Sequence, residues 1–520
     1  MSQLASAATL AVLLVVTVCA VARGTAFILR TSRRLPPGPR RIPWLGNVLD
    51  LPTERHWVQF SSWANEHGDV VCLTALGQPI IVLSSSEAVD DLLNKRSAIY
   101  SDRPPFYMAG ELVGWKNTLV GMRYGERFRH GRKYTNRIMG ARGSQTYIPE
   151  EEHATRVFLR RLATSPERFE AHVRWAAVAL IMKLLYGYNA AEEDDRLVAI
   201  AAKALTNFSL ATAPGWIVDQ VPALRFLPSW LPGMGFLRLA RVWRAELSAL
   251  MDEPFKFVKK QQSSGIASRS VTLSLLQGED GDGVPPQEEE FIKYIAASLY
   301  SGASDTTVSS NLSFFLAMTL YPDVQRKAQE EIDALTGGER LPVYADREHL
   351  PYVNALVKEI HRWHPVLPIG LPHCLSEADE YRGWHIPAGS ILIPNVWHIL
   401  RDPANYPDPT TFDPERFLRA SAPGTNGDPK AHAFGYGRRE CPGRYIADSS
   451  VWLMVAMTLA AFDVSKASDS DGKPIIPGED YEPGTLSHPT PFKCDIKLRS
   501  EKWETLIPAE RVLTRSDVAL

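Results

Sequence analysis

Phe434-Gly435-Tyr436-Gly437-Arg438-Arg439-Glu440-Cys441-Pro442-Gly443 runs directly into an apolar helical pattern from Tyr445 to Leu459. The stretch reads F-x-x-G-x-R-x-C-x-G. A cysteine just ahead of a helix lies close to unpaired backbone N–H groups, which favour the thiolate, the form that binds a metal. Glycines let a backbone come close to a flat cofactor. An arginine two residues before the cysteine can grip a carboxylate of such a cofactor through two parallel hydrogen bonds. A lone cysteine before a helix is ordinary packing. Here five defined positions occur together: Phe434, Gly437, Arg439, Cys441 and Gly443.

The remaining cysteines, Cys19, Cys72, Cys374 and Cys494, are scattered and form no C-x-x-C pair. That argues against zinc and thioredoxin-like sites, and a disulfide scaffold does not suit a chain of 520 residues. The simplest reading is a reducing compartment with one working thiolate. Hydrophobic residues at 45% and charged residues at 22% provide for a large core and exclude wholesale disorder. With 57 basic against 59 acidic residues, nothing points to a nucleic-acid partner.

The N-terminus departs from this composition. Leu4 to Ala22 is an uncharged run of 19 residues, just long enough to span a bilayer as a helix. A cleaved signal peptide is the rival, and Ala20-Val21-Ala22 resembles a cleavage site. However, no basic residue precedes the run, whereas Arg23, Arg30, Arg33, Arg34, Arg40 and Arg41 come after it. The positive-inside rule then keeps the rest of the chain cytosolic. We expect a single N-terminal transmembrane helix in residues 1–30 and a catalytic domain over 31–520. A cytosolic domain would leave the sequons at Asn207 and Asn311 unused.

Leu35-Pro36-Pro37-Gly38-Pro39 reads as a stiff extended spacer. Most of the chain beyond this spacer has helical patterning. Phe291 to Tyr321 reads as one long core helix with a polar interruption at Ser304-Asp305-Thr306-Thr307. Short β-like runs fall at Val70–Leu73, Ile80–Leu83 and Ser390–Pro394, and Tyr481–Lys497 suggests a hairpin. Residues 277–287 and 420–429 read as loops. The expected fold class is mainly α with a small β subdomain.

With the cysteine loop in place, the chain resembles the cytochrome P450 family, in particular fungal microsomal members, over nearly its whole length. Further motifs stand in the family's order. Glu359-Ile360-His361-Arg362 is an E-x-x-R, whose two ends share a helix face. The same pattern at Glu126–Arg129 and Glu193–Arg196 reads as solvated helix surface. Pro414-Glu415-Arg416-Phe417 is like the family's P-E-R-F. The resemblance implies that Glu359, Arg362 and Arg416 form a structural clamp for folding and haem retention. It implies haem b as cofactor, with Cys441 as the axial ligand of the iron and Phe434, Gly437, Arg439 and Gly443 around it.

Gly302-Ala303-Ser304-Asp305-Thr306-Thr307 resembles the family's oxygen-handling motif, with Ala303 where glycine is usual. Asp305 and Thr306 would order water and pass protons. Phe128-x-x-x-Arg132 stands where the family has W-x-x-x-R. Arg132 remains a candidate partner for a haem propionate, without the indole hydrogen bond. His373 stands at a haem-side basic position, and His432 is a further candidate; a satisfied core role stays open for both.

The implied reaction is monooxygenation of a lipophilic small molecule, a terpenoid, polyketide or other specialised metabolite. No dinucleotide fingerprint or flavin domain is visible, so electrons from NADPH would come through a separate NADPH–cytochrome P450 reductase, docked on a basic face near Cys441. The anchor would place the enzyme on the endoplasmic reticulum membrane. Two alternatives stay open: a haem-thiolate isomerase, dehydratase or peroxygenase, and a non-catalytic membrane haem protein. The pocket is expected to draw on Phe106, Tyr107, Phe208, Phe291, Tyr300, Val366, Leu367 and the region of Leu486.

Overall fold

The computed structural model describes residues 34–503 and 507, except 192–193, 214, 279 and 421–423, and five isolated positions before residue 26. The expected N-terminal transmembrane helix lies outside the described residues. Among these, no helix is long and apolar enough to cross a membrane.

The fold is mainly helical with small β regions. Two helices are apolar on every side and run through the interior: Thr306–Leu320 and Arg444–Ala461. Hydroxyls within the first turn back on the carbonyls four residues earlier, Ser313 to Ser309 at 2.9 Å and Thr319 to Phe315 at 2.8 Å. Polar side chains are thereby satisfied without leaving the core. Pro351–Trp363 packs beside them with its residues Val353, Leu356, Ile360 and Trp363 buried.

The three β-like runs all join one four-stranded sheet. Val70–Ala75 pairs antiparallel with Gln78–Leu83 through a two-residue turn, Leu76-Gly77, with both φ values positive at 48° and 78°. Gln78–Leu83 then pairs in parallel with Ile391–Pro394, which also holds His373–Cys374. The sheet thus ties the N-terminal third to the segment before the cysteine loop. The Pro-rich spacer is extended, as expected, but it is docked rather than free. The Cys72 amide donates to the Pro37 carbonyl at 2.7 Å. A Cβ on Gly38 would meet the Cys72 carbonyl oxygen at 2.3 Å, so only glycine fits there.

The long helix expected over 291–321 is two helices, Pro286–Ser304 and Thr306–Leu320, broken at Asp305. The halves bury into different hydrophobic clusters. The first packs with Phe169–Tyr186 and Gly235–Ser263, the second with Pro351–Trp363 and Arg444–Ala461. The polar motif falls at the junction between the two cores. Tyr481–Lys497 forms only part of a hairpin: Tyr481 bridges Pro489, while Cys494–Leu498 pairs with Phe462–Lys466. Both sequon side chains are buried, Asn311 at 2% and Asn207 at 9% exposed, with Asn207 bonded to Glu246.

One buried acid stands outside any ion pair. Glu151, on Ile148–Thr164 facing Arg444–Ala461, has neither carboxylate oxygen hydrogen-bonded. Burial pushes its carboxyl up from 4.5 to about 8. The native fold therefore keeps a proton that the unfolded chain loses near pH 4.5. Stability is complete below that pH and declines as pH rises through about 8. We expect Glu151→Gln to leave the unfolding temperature unchanged at pH 4 and to raise it at pH 8.5. Equal shifts at both pH values would show that Glu151 is not the group titrating.

Candidate haem-thiolate site

The cysteine loop is held from several sides. Gly437 has φ 54°, and a Cβ there would meet the Leu93 carbonyl oxygen at 2.2 Å. Its amide donates to the Asn94 side chain at 2.7 Å. Glycine is required at 437 because the loop abuts the helical turn Asp90–Lys95, a reason different from the cofactor approach expected from sequence. The Cys441 amide donates to the Phe434 carbonyl at 2.8 Å, closing the loop into a tight curl. Around Gly443 the space is open: a Cβ would meet nothing within 4 Å. The Phe434 ring stands edge-on to His361, with centroids 5.4 Å apart.

Burial pushes the Cys441 thiol up, and the Gly443 amide and the Arg132 and Arg444 charges pull it only part of the way back. The Gly443 amide favours the thiolate, as the position predicts, but does not by itself outweigh burial. A bound cation is the stronger influence, since a coordinating thiol is deprotonated outright.

Beside the loop lies a group of buried cations. Arg439 donates to the carbonyls of Ser101 (2.7 Å), Leu119 (3.1 Å) and Met122 (2.7 Å), and its guanidinium covers the Phe128 ring at 3.8 Å. Arg103 donates to the carbonyls of Leu371 and Pro372, and its Nε is buried without a partner. Arg132 reaches the Glu440 carbonyl at 2.8 Å. Burial, then repulsion from Arg103, pushes Arg439 down to about 8. Burial pushes Arg103 down to about 10. Asp102, the carboxylate among them, is taken by Arg123. Three guanidiniums without a carboxylate of their own suit a cofactor that brings two carboxylates, as haem b does. The sulfur donor, the open space at Gly443 and this uncompensated positive charge together fit the haem.

His373 is not the basic residue expected. Its Nδ1–H donates to the Tyr100 carbonyl at 2.8 Å, and burial with Arg103 and Arg439 nearby pushes it down to about 3. It is a neutral hydrogen-bonding residue inside the cation group. His432 is satisfied by Tyr436 and Ser86.

Glu359, Arg362 and Arg416 come together behind the loop, all three buried. Glu359 accepts two bonds from Arg362, at 2.7 and 2.8 Å, one from Arg416 at 3.2 Å and one from the Asp413 amide at 2.7 Å. Arg362 also reaches the carbonyls of Leu400, Pro409 and Thr411. Arg416 reaches those of Pro407, Asp408 and Thr411. Among the other two E-x-x-R copies, Glu126 and Arg129 are exposed, Arg196 pairs with Glu253, and Glu193 lies outside the described residues.

At the break between the two core helices, the Thr306 hydroxyl donates to the Gly302 carbonyl at 2.8 Å. A Cβ on Gly302 would meet nothing within 4 Å. Asp305 is held by two partners that no sequence motif announces: Arg174 at 3.3 Å on Oδ1 and His488 at 3.2 Å on Oδ2. Burial raises the Asp305 carboxyl, but the His488 bond and the His488 and Arg174 charges outweigh it and hold the group below its ordinary value. It is a carboxylate at neutral pH.

Of the expected pocket residues, Tyr300 and Phe291 serve helix packing instead. Tyr300 meets Tyr186 edge-on at 6.0 Å, and Phe291 stacks on His130 at 5.3 Å. Phe208 lies against Trp115 at 4.6 Å. Arg103, Arg174 and His488 are not legible in the sequence. Each is an isolated residue in no periodic pattern, and only its partners, distant in the chain, give it meaning.

The sequence profile of the family described as Cytochrome P450 matches residues 36–496. The chain is 46% identical over 503 residues to Cytochrome P450 monooxygenase 208 of Postia placenta, covering 96% of both proteins. It is 42% identical to Cytochrome P450 monooxygenase claR of Ampulloclitocybe clavipes, over 95% of this chain and 93% of that one. It is 40% identical to Tryptamine 4-monooxygenase of Psilocybe cyanescens, over 90% and 94%. The chain belongs to the cytochrome P450 family, enzymes of the monooxygenase kind that hold haem b through a cysteine thiolate.

Proposed function

We propose that this enzyme inserts one oxygen atom from O2 into a lipophilic small molecule, in specialised metabolite biosynthesis or xenobiotic oxidation. Electrons come from NADPH through a separate NADPH–cytochrome P450 reductase. The observation that carries this reading is the acid and alcohol at the helix break, Asp305 ionised and Thr306 beside the open groove at Gly302. Haem, when bound, supplies the oxidising chemistry. The Cys441 thiolate would hold its iron, and Arg103, Arg132 and Arg439 would receive its propionates. Phe434, Gly437 and Gly443 shape the loop, and Glu359, Arg362 and Arg416 clamp it. Thr306 gives its own proton to the Gly302 carbonyl, so its oxygen is left as an acceptor that orients water in the groove. Asp305 passes the protons.

The helix Glu126–Met139 presents Arg129 and Lys133 to solvent, and Arg142 and Arg438 are exposed nearby in the chain or on the cysteine loop. This favours an acidic electron donor on that side. The anchor reading is supported by the uncharged run with arginines after it and by Trp44, Leu49, Phe226 and Trp230, all largely exposed. On this reading residues 1–30 hold the enzyme on the endoplasmic reticulum membrane, and residues 31–520 work in the cytosol. One relative is named for a tryptamine substrate, so aromatic amines join terpenoids and polyketides in the substrate screen.

The test uses microsomes carrying the chain and the reductase, with the substrate found by that screen. Thr306→Ala is expected to keep its haem, to lower product formed per NADPH by about 10-fold or more, and to release the difference as hydrogen peroxide. Fully coupled product formation in this variant would refute the role given to Thr306. Product formation independent of NADPH and reductase would favour the isomerase, dehydratase or peroxygenase alternative.

A further inference from the structure

Arg439 grips more than the cysteine loop. Its guanidinium takes the Ser101 carbonyl on one side and the Leu119 and Met122 carbonyls on the other. Residues 102–118 therefore form a loop closed at its base, and the base lies where the haem carboxylates are received. The second foot is also tied to the first core helix. The Ser298 side-chain oxygen accepts the Leu119 amide at 2.9 Å, one turn before the open Gly302. The loop thus stands at the flank of that groove.

Its crown is the wide helical turn Tyr107–Val113. Amides there reach back five residues, Glu111 to Phe106 and Gly114 to Ala109, both at 3.2 Å. Such turns are uncommon and gather at functional sites. Pro104-Pro105 leads into the crown, and Gly114, with φ 115°, leads out of it. The crown is clamped from outside at both ends. Asp219, on the short helix Ile217–Gln220, accepts the Tyr107 and Met108 amides on Oδ1 at 2.5 and 2.9 Å. Arg244, on Gly235–Ser263, donates to the carbonyls of Glu111 at 2.6 Å and Leu112 at 2.8 Å. An anion sits on the amide end of the turn and a cation on its carbonyl end, each matching the dipole it faces. Arg225 lays its guanidinium over the Tyr107 ring at 4.9 Å.

We infer that Asp219 and Arg244 set the size of molecule admitted to the haem pocket. Together they hold the crown shut. A bulky molecule enters only when the turn swings on Gly114 and the Pro104-Pro105 foot, which breaks the bonds at both ends. A small molecule enters without this movement. The inference rests on the haem seat at Cys441 and Arg439, and it is independent of the relay at Asp305.

The haem-loaded full chain in detergent micelles is mixed in the stopped flow with imidazole, a small iron ligand, and with 4-phenylimidazole, a bulky one. The Soret shift is recorded for the unaltered chain, Asp219→Ala and Arg244→Ala. Both variants are expected to speed association and dissociation of 4-phenylimidazole by about 10-fold each, the scale of a lost charge-assisted hydrogen bond. Its dissociation constant should stay the same, and the imidazole rates should not move. Asp219→Asn, which keeps an oxygen for the two amides, should lie between; with Arg244→Gln it carries the test if the alanine variants lose haem. Unchanged 4-phenylimidazole rates overturn the inference. Equal acceleration of both azoles removes the size control and overturns it too. If neither azole shifts the Soret band of the unaltered chain, the haem seat is wrong and the inference falls with it. Hydrogen exchange supplies a second readout. Arg244→Ala should raise exchange at the Tyr107 and Met108 amides, although Arg244 bonds only carbonyls at the other end. Unchanged exchange there means that the turn does not open as a unit, which also overturns the inference.

Discussion

Replacing Cys441 with alanine is expected to abolish the thiolate-type spectrum of the reduced carbon monoxide complex. Among the described residues no cluster of three or more His, Cys, Asp and Glu could hold a metal ion. Cys72, Cys374 and Cys494 lie elsewhere in the fold, with their thiols pushed up to about 11, 11 and 12 by burial. The loop itself should survive, because its curl depends on the backbone bond from residue 441 to Phe434 and on Gly437 against Leu93, neither of which uses the sulfur. The variant is therefore expected to fold, and to bind haem weakly or with a neutral ligand if at all. The measurements are the carbon monoxide difference spectrum and the far-UV circular dichroism. An unchanged difference spectrum would remove Cys441 from the ligand position.

Arg362 should show the largest effect on folding. Its guanidinium is fully buried and joins one helix to a long irregular segment: Glu359 on its own helix, and the carbonyls of Leu400, Pro409 and Thr411. Removing one partner of a buried ion pair costs about 3–5 kcal/mol, and here Glu359 would keep only the longer bond from Arg416 and the Asp413 amide. That cost is a large share of the roughly 5–15 kcal/mol by which a domain is stable. Arg362→Ala is expected to lose haem during purification and to unfold at much lower denaturant. Arg362→Lys should fail nearly as badly, since an ammonium cannot copy the planar fork that spans these acceptors. Lysine with full haem content and an unchanged denaturant midpoint would show that the fork geometry is unimportant. Glu359→Gln should also be severe, because it leaves the buried Arg362 and Arg416 guanidiniums with no carboxylate between them.

Several features are legible in the chain because they obey local rules. The i, i+3 spacing of Glu359 and Arg362 puts both on one helix face, and they bond there. The continuous apolar, β-branched runs Val70–Leu73 and Ile80–Leu83 make strands, and the two-residue turn between them sets their register. The polar interruption at 304–307 is visible in the sequence, though not the break it causes. That break reflects two separate cores claiming the two halves of one apolar run, which periodicity cannot distinguish from a single helix. Tyr300 and Phe291 mislead for a related reason: an aromatic residue facing a pocket and one facing a neighbouring helix have the same pattern in the chain.

By itself the sequence determined the cysteine loop, the run of motifs leading to it, and through them the family and its cofactor. Those are short-range patterns, in which spacing along the chain is also spacing in space. Only the tertiary structure decided what surrounds them. Asp305 meets Arg174 from 131 residues away and His488 from 183. Arg103 and Arg439 come together though they are far apart in the chain, and burial, then their charges, push His373 down. Electrostatics and proton traffic depend on distance through space, and that distance exists only once the chain has closed on itself.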